Sequence, residues 1–213
     1  MEVLLAVLLT GASAQGSLSR TQAPDRPAEA LARRIEERQK SLQDLQAHFV
    51  QRYRSGALGR ELVETGRLSL KPPGRMLFEY LKPEKKVFVS DGETSYFYVP
   101  EDHQVVVQNL KGERGVLFVL LSGREGILDH FAPTLEGGTD GLKRLRLTPR
   151  QPDPDVDHVL LDVDEADQIR RIEILDPAGD QSEFRFDGIR ENLGLPDRLF
   201  HFTPPKDAEV IHG

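Results

Sequence analysis

The sequence predicts a mainly β fold with a minority of helix: about ten to eleven short antiparallel strands in one large sheet, sandwich or barrel. Three observations predict it. Beyond Gly56 and Gly59, apolar residues recur with a period of two. The connections between the alternating runs are short and rich in Pro, Gly and Asp. The one long run of helical period lies ahead of them.

Composition narrows the function classes. A chain of 213 residues, 38% hydrophobic and 30% charged, suits one domain with a buried core. A formal net charge of −7 argues against a general nucleic-acid binder, whose affinity rests on Lys and Arg against phosphates. The absence of Cys excludes disulfides, thiolate catalysis, zinc fingers and iron–sulfur clusters together.

The N-terminus reads as a targeting segment. Val3 to Leu9 is apolar and too short to span a bilayer. Ala12, Ser13 and Ala14 follow at signal-peptidase spacing, so residues 1–14 are expected to be a signal peptide. Secretion without Cys suits a bacterial periplasm better than a disulfide-rich extracellular module. Residues 15–26 read as a flexible linker and 27–213 as the folded domain.

Pro27 is placed to open a helix, where its missing N–H costs nothing. Leu31, Ile35, Leu42, Leu45 and Phe49 recur at helical spacing, which predicts one amphipathic helix over 28–51. Arg33, Arg34 and Arg38, interleaved with Glu, are expected on its solvated face.

The strands follow in order. Leu68 and Leu70 alternate with polar residues, as do Met76, Phe78 and Tyr80 after the turn Pro72-Pro73-Gly74. Val87 and Val89 lead into the turn Asp91-Gly92, and Tyr96 to Val99 and Val105 with Val107 continue the meander. Val116 to Leu121 is apolar all round and interrupts the sheet. With Glu125 to Phe131 it predicts two short helices, the first capped by Gly123. Alternation resumes at Leu145 and Leu147, Val159 to Val163, Ile172 and Ile174, and Phe184 and Phe186. Phe200 and Phe202 close the series.

Catalytic patterns are missing. There is no Gly-rich phosphate loop, no HExxH and no GxSxG. Six His are scattered without ligand spacing. Asp153, Asp155 and Asp157 resemble a calcium loop only faintly, with Pro154 inside it and His158 where Gly is needed. An acidic hairpin tip is the better reading. No enzyme activity, cofactor or metal is expected. An enzyme would need a buried titratable group in a cleft; a carrier would need an apolar cavity. A curled sheet with an apolar concave face needs a cover, and the helices supply one. Whether they fill that face or leave a cavity is open from patterning alone.

A resemblance bears on this choice. Leu42 to Gln51, ending in Phe49-Val50-Gln51, resembles the first helix of the LolA family, periplasmic carriers of outer-membrane lipoproteins. Gly66-Arg67-Leu68-Ser69-Leu70-Lys71-Pro72-Pro73-Gly74-Arg75-Met76-Leu77-Phe78-Glu79-Tyr80 is similar to that family's G-x-L-x-L-K-R-P-G-R-F-R-W-E-Y. Val89-Ser90-Asp91-Gly92, Tyr96 to Pro100, Leu120 to Gly123 and Phe202-Thr203-Pro204-Pro205 follow in the family's order.

The resemblance implies an incomplete, half-open antiparallel barrel with an N-terminal helix and short lid helices over its concave apolar face. It implies an acylated lipoprotein cargo, an inner-membrane ABC exporter complex as donor and an outer-membrane acceptor, with no covalent step. The alternative is a related periplasmic lipid-binding module: a carrier of other envelope lipids or a sensor of mislocalised lipoproteins. A monomer that binds no nucleic acid is expected. Leu68, Leu70, Met76, Phe78, Tyr80, Val105 and Val107 are the expected cavity lining, with Phe118, Leu120 and Leu121 facing it from the lid. One departure stands out. The family's K-R-P carries an Arg that ties sheet to lid, and here Pro72 holds that position and has no donor.

Overall fold

A computed structural model describes residues 25–57, 59–110 and 115–213. The expected signal peptide and all but the last two residues of the expected linker lie outside the described residues.

Helix α1 spans Arg26–Ser41. Asp25 caps it, its carboxylate accepting the Ala28 N–H at 3.2 Å, and Pro27 stands in the first turn. The helix buries Ala28, Leu31, Ala32, Ile35 and Gln39 and packs against β7 and α3, whose ranges follow.

The expectation of one helix over 28–51 is corrected here. The helix stops at Ser41, and Leu45–Arg54 is strand β1. Leu42 and Leu45 fit either period. Beyond them the buried positions are Leu45, Ala47, Phe49 and Gln51, which is the period of a strand. Tertiary pairing decides the matter, because β1 is hydrogen-bonded on both sides. The break is anchored by Asp44, which is 1% exposed. Its carboxylate accepts the N–H groups of Leu193 at 2.7 Å and Leu195 at 2.8 Å, and its carbonyl accepts that of Asn192 at 2.9 Å. The segment Leu42–Gln51, likened to a first helix, is therefore mostly strand.

Eleven more strands follow: β2 Glu61–Lys71, β3 Arg75–Lys82, β4 Lys86–Asp91, β5 Thr94–Val99, β6 Gln104–Asn109, β7 Phe131–Glu136, β8 Lys143–Pro149, β9 His158–Val163, β10 Ile169–Leu175, β11 Gln181–Glu191 and β12 Glu209–His212. Between β6 and β7 lie α2, Val116–Leu121, and α3, Ile127–His130. The strands form one sheet in the order β12-β6-β5-β4-β3-β2-β1-β11-β10-β9-β8-β7. Every pairing is antiparallel except β12 with β6, which is parallel. The two ends, β12 and β7, are not paired with each other, so the barrel is open.

The expected closing strand at Phe200 and Phe202 is also corrected. Asp197–Phe200 is a 3-10 turn, and the chain then crosses the convex face. Phe200 buries itself on Leu77 and Val89, and Phe202 places its ring 5.5 Å from Tyr96 and 5.6 Å from Tyr98. Two aromatics that alternate in sequence are here filling a face rather than extending a sheet. The convex face of β8–β11 is treated differently. Arg144 pairs bidentately with Asp162 at 2.6 and 2.7 Å, and Arg171 bridges Asp162 to Glu183.

The edge strand β7 is guarded by α1: the second carboxylate oxygen of Asp25 accepts the Leu135 N–H at 3.1 Å. The core centre is aromatic. Phe49 meets Phe78 at 5.4 Å and Tyr80 at 5.0 Å, both edge to face. Gly66, paired with Phe49, makes this possible. A Cβ there would lie 2.6 Å from the Phe49 ring and 2.1 Å from the Glu79 carbonyl oxygen. Gly66→Ala is therefore expected to destabilise the fold by about 2–3 kcal/mol through overpacking, read as a lowered urea midpoint with unchanged slope.

Candidate functional site

The concave face is built from cross-strand rows. Val106, Phe97, Phe88, Phe78, Leu68 and Ala47 are successive register partners across β6, β5, β4, β3, β2 and β1. They form an apolar stripe across half the sheet. Next to it, toward the lid, Met76 pairs with Leu70 and Leu70 with Leu45. From β11 come Phe184 and Phe186, and from β8–β10 Leu145, Leu161 and Ile172.

Helix α2 closes over this face. All six of its residues are buried, so no side is left for solvent. Its C-terminal end is tied by polar contacts. The Gly74 N–H donates to the Ser122 carbonyl at 2.9 Å, and Gln39 of α1 donates to the Leu120 carbonyl at 3.4 Å. Arg124 donates from its guanidinium to the Gly92 carbonyl in the β4–β5 turn. At Gly123, φ is +64°, and a Cβ would meet the Gln39 carbonyl at 3.0 Å and Pro72 at 3.3 Å. Pro72 thus sits against the lid as an apolar contact, and the arginine that reaches across comes from the lid side. Leu128 at the start of α3 donates to Glu36 of α1 at 3.0 Å, which links the three helices.

Helix α1 is fastened at its other flank by ions. Arg34 Nε lies 2.8 Å from Asp167 in the β9–β10 turn, and Arg38 lies 2.6 Å from Glu191 at the end of β11. The expected solvated face of Arg33, Arg34 and Arg38 is thus partly corrected: two of the three bridge to the sheet. Partial burial pushes the Asp167 carboxyl up, but hydrogen bonds and charge from Arg34 and Lys143 outweigh it and hold it below its ordinary value.

Between α1 and the β10–β11 edge is a small cleft of about 20 Å³, room for a single water. Leu42, Leu45, Leu68, Leu70, Leu121 and Phe186 give it apolar walls, and Arg38, Gln39, Gln168 and Glu191 its polar ones. All six residues of α2 and the concave-face side chains in the same core are buried, so the structure is the packed, closed arrangement.

Of the expected lining, Leu68, Leu70, Met76, Phe78 and Tyr80 lie on the concave face, each 2% exposed or less. Phe118, Leu120 and Leu121 belong to the same core from the lid side. Val105 and Val107 do not. They pair with Tyr98 and Tyr96, and that face is the convex one. The neighbouring Val106, paired with Phe97, faces the concave side. A run of three valines has no polar alternation to set its phase, and the pairing with β5 puts the middle one inward. Leu45 and Ala47 escaped notice because their segment was read as helix. Phe186 and Ile189 were beyond reach because β11 pairs with β1 from over 130 residues away. Among the described residues, no group of three or more His, Asp or Glu is placed to hold a metal.

A half-barrel sheet with an apolar interior, covered by helices on tethers, defines the class of lidded half-barrel proteins. Within that class the chain belongs to the family described as outer membrane lipoprotein carrier protein LolA, whose profile matches residues 40–203. It is 30% identical over 173 residues to the outer-membrane lipoprotein carrier protein of Dechloromonas aromatica, covering 81% of this chain and 83% of that one. It is 32% identical over 170 residues to that of Ralstonia nicotianae, covering 76% and 78%.

Among solved structures, an uncharacterized conserved protein from Thermus thermophilus shares the fold at a TM-score of 0.58 and 17% identity, over 88% of this chain and 99% of that one. The MucA/MucB complex of Pseudomonas aeruginosa contains a chain that matches at a TM-score of 0.52 and 15% identity, over 87% and 63%.

Two expectations follow. Removing the tether in Arg124→Ala should speed hydrogen exchange of the α2 amides at least about tenfold, the effect of one part-buried charged-donor bond worth about 1.5 kcal/mol. The Asp167 contribution to stability is present above the unfolded carboxyl value of 3.8 and lost as pH falls through its lowered folded value. The gap in urea midpoint between the parent and Asp167→Asn should thus be clear at about pH 6 and narrow progressively as pH falls below the unfolded value of 3.8.

Proposed function

We propose that this protein binds the acyl chains of lipoproteins on its concave face and carries them between the inner and outer membranes. The observation that supports the reading best is the six-strand apolar stripe under a short helix with no polar residue. The aliphatic side chains of α2 pack there by non-directional contacts, which a hydrocarbon chain can replace. Membership of the carrier family supports the cargo class. The donor is an inner-membrane ABC exporter complex, the acceptor is at the outer membrane, and the site of work is the periplasm. No covalent chemistry is required.

Exchange explains how such a carrier both binds and releases. Each methylene withdrawn from water is worth about 0.8 kcal/mol, so bare acyl chains would bind an open apolar face very tightly. Here the empty face is already satisfied by Phe118, Leu120 and Leu121. Cargo must displace them, and the cost of opening is subtracted from its affinity. Leu68, Leu70, Met76, Phe78 and Tyr80 then line the site with the residues missed in the sequence, Leu45, Ala47 and Phe186.

The test is a titration of the full chain with a triacylated lipopeptide and with the same peptide lacking its acyl groups. Saturable one-to-one binding of the acylated form only is expected, with Phe78→Ala lowering affinity at least tenfold while circular dichroism confirms a folded protein. That substitution also removes about 3–5 kcal/mol of stability, so its melting curve is needed. Equal binding of both peptides, or of neither, would overturn the reading.

A further inference from the structure

Below the Phe49, Phe78 and Phe184 cluster the concave face changes character. Lys86 and Glu64 form an ion pair whose side chains are 9% and 2% exposed. The Lys86 ammonium lies 5.2 Å from the centre of the Tyr80 ring. Tyr80 donates its hydroxyl proton to Gln51 at 2.8 Å, and the Gln51 amide reaches Ser182 at 3.5 Å. Gln51 is the register partner of Glu64, and Tyr80 that of Lys86. Tyr80 is itself in register with Gly66, two residues along from Glu64, so these side chains reach diagonally and form one polar row shared by β11, β1, β2, β3 and β4. The second carboxylate oxygen of Glu64 is buried and has no hydrogen-bond partner among the described residues. Burial raises the Tyr80 hydroxyl well above its ordinary value, which keeps it a donor.

Stability does not explain this row. Taking two charges out of water is costly, and apolar residues of similar volume commonly do as well or better. An unpaired carboxylate oxygen adds to that cost. The row's position suggests its use. It crosses the concave face at the far end from the lid tethers at Gly74 and Gly92. From Leu45 to Gln51 the strand advances six residues, about 20 Å at 3.3 Å per residue. An extended hydrocarbon advances about 1.25 Å per carbon, given its 1.5 Å bonds, so the apolar stretch spans about sixteen carbons. A methyl end that arrives at the row has no more apolar surface to cover, and going further would press it against charge.

We propose that Glu64, Lys86, Tyr80 and Gln51 are the floor of the acyl site and set the chain length that the protein accepts. The proposal rests on the carrier reading above. The experiment measures affinity for lipopeptides that differ only in acyl length, from about ten to about twenty-two carbons. Affinity is expected to rise by up to about fourfold per methylene, less where the chain merely displaces lid side chains, and to stop rising near sixteen carbons. In Glu64→Leu/Lys86→Met, which removes both charges together, the rise should continue for several more carbons. Binding at every length with an unbroken rise in the parent protein overturns the floor and leaves the carrier reading standing. So does a break that the double variant leaves in place. No binding at any length removes the carrier reading and the floor with it. If the double variant does not fold, the parent series alone decides, by whether its break is there.

Discussion

A sheet of twelve strands that curls without closing leaves one apolar face that water must not reach, and the rest of the structure depends on how that face is covered. The cover is not another sheet. It is α2, a helix of six apolar residues, held down by α1. The opposite face needs no such device. On β2–β5 the C-terminal segment lies across it through Phe200 and Phe202, and on β8–β11 it is a lattice of Arg, Asp and Glu. The two faces thus differ in permanence. The convex cover is anchored by the buried Asp44, which accepts the backbone N–H groups of Asn192, Leu193 and Leu195. The polar ties of the concave cover described above lie at its rim.

That rim divides the labour. Apolar cohesion under α2 supplies most of the free energy but no geometry, because it is indifferent to which hydrocarbon fills the space. The polar ties supply geometry and little energy: Arg124 on Gly92, Gly74 on Ser122, Arg34 on Asp167 and Arg38 on Glu191. A cover built this way shuts in a defined position yet can be exchanged for something equally apolar. Pro72, which cannot donate, is compatible with this because the arginine that crosses between lid and sheet is Arg124, on the lid side.

Much of the sheet was legible because its strands have one dry face, and alternation records that directly. Met76, Phe78 and Tyr80 fall where the period puts them. The failures share a cause: local pattern is silent wherever distant pairing decides. Leu42 to Phe49 carries apolar residues at spacings that suit helix and strand alike, and only the ladders to β2 and β11 make it β1. Val105, Val106 and Val107 are all apolar, so nothing local says which faces the helices. Phe200 and Phe202 alternate like a strand but answer to Leu77, Val89, Tyr96 and Tyr98 on a surface formed by residues a hundred positions earlier. The polar row at Glu64 and Lys86 was invisible for the same reason. Each residue looks like an ordinary surface charge until the curl of the sheet lets β2 and β4 side chains meet across β3.

The guard on β7 has a consequence for self-association. Its outer backbone is met by α1, through Asp25 and Leu135, and α1 is also part of the cover over the concave face. Lifting that helix bares a strand edge and an apolar surface in one movement, which are the two features that let sheets of separate molecules join. An open molecule without cargo would thus be a seed for aggregation. The tightly filled closed form is then more than a resting state: it keeps the strand edge and the apolar surface covered together.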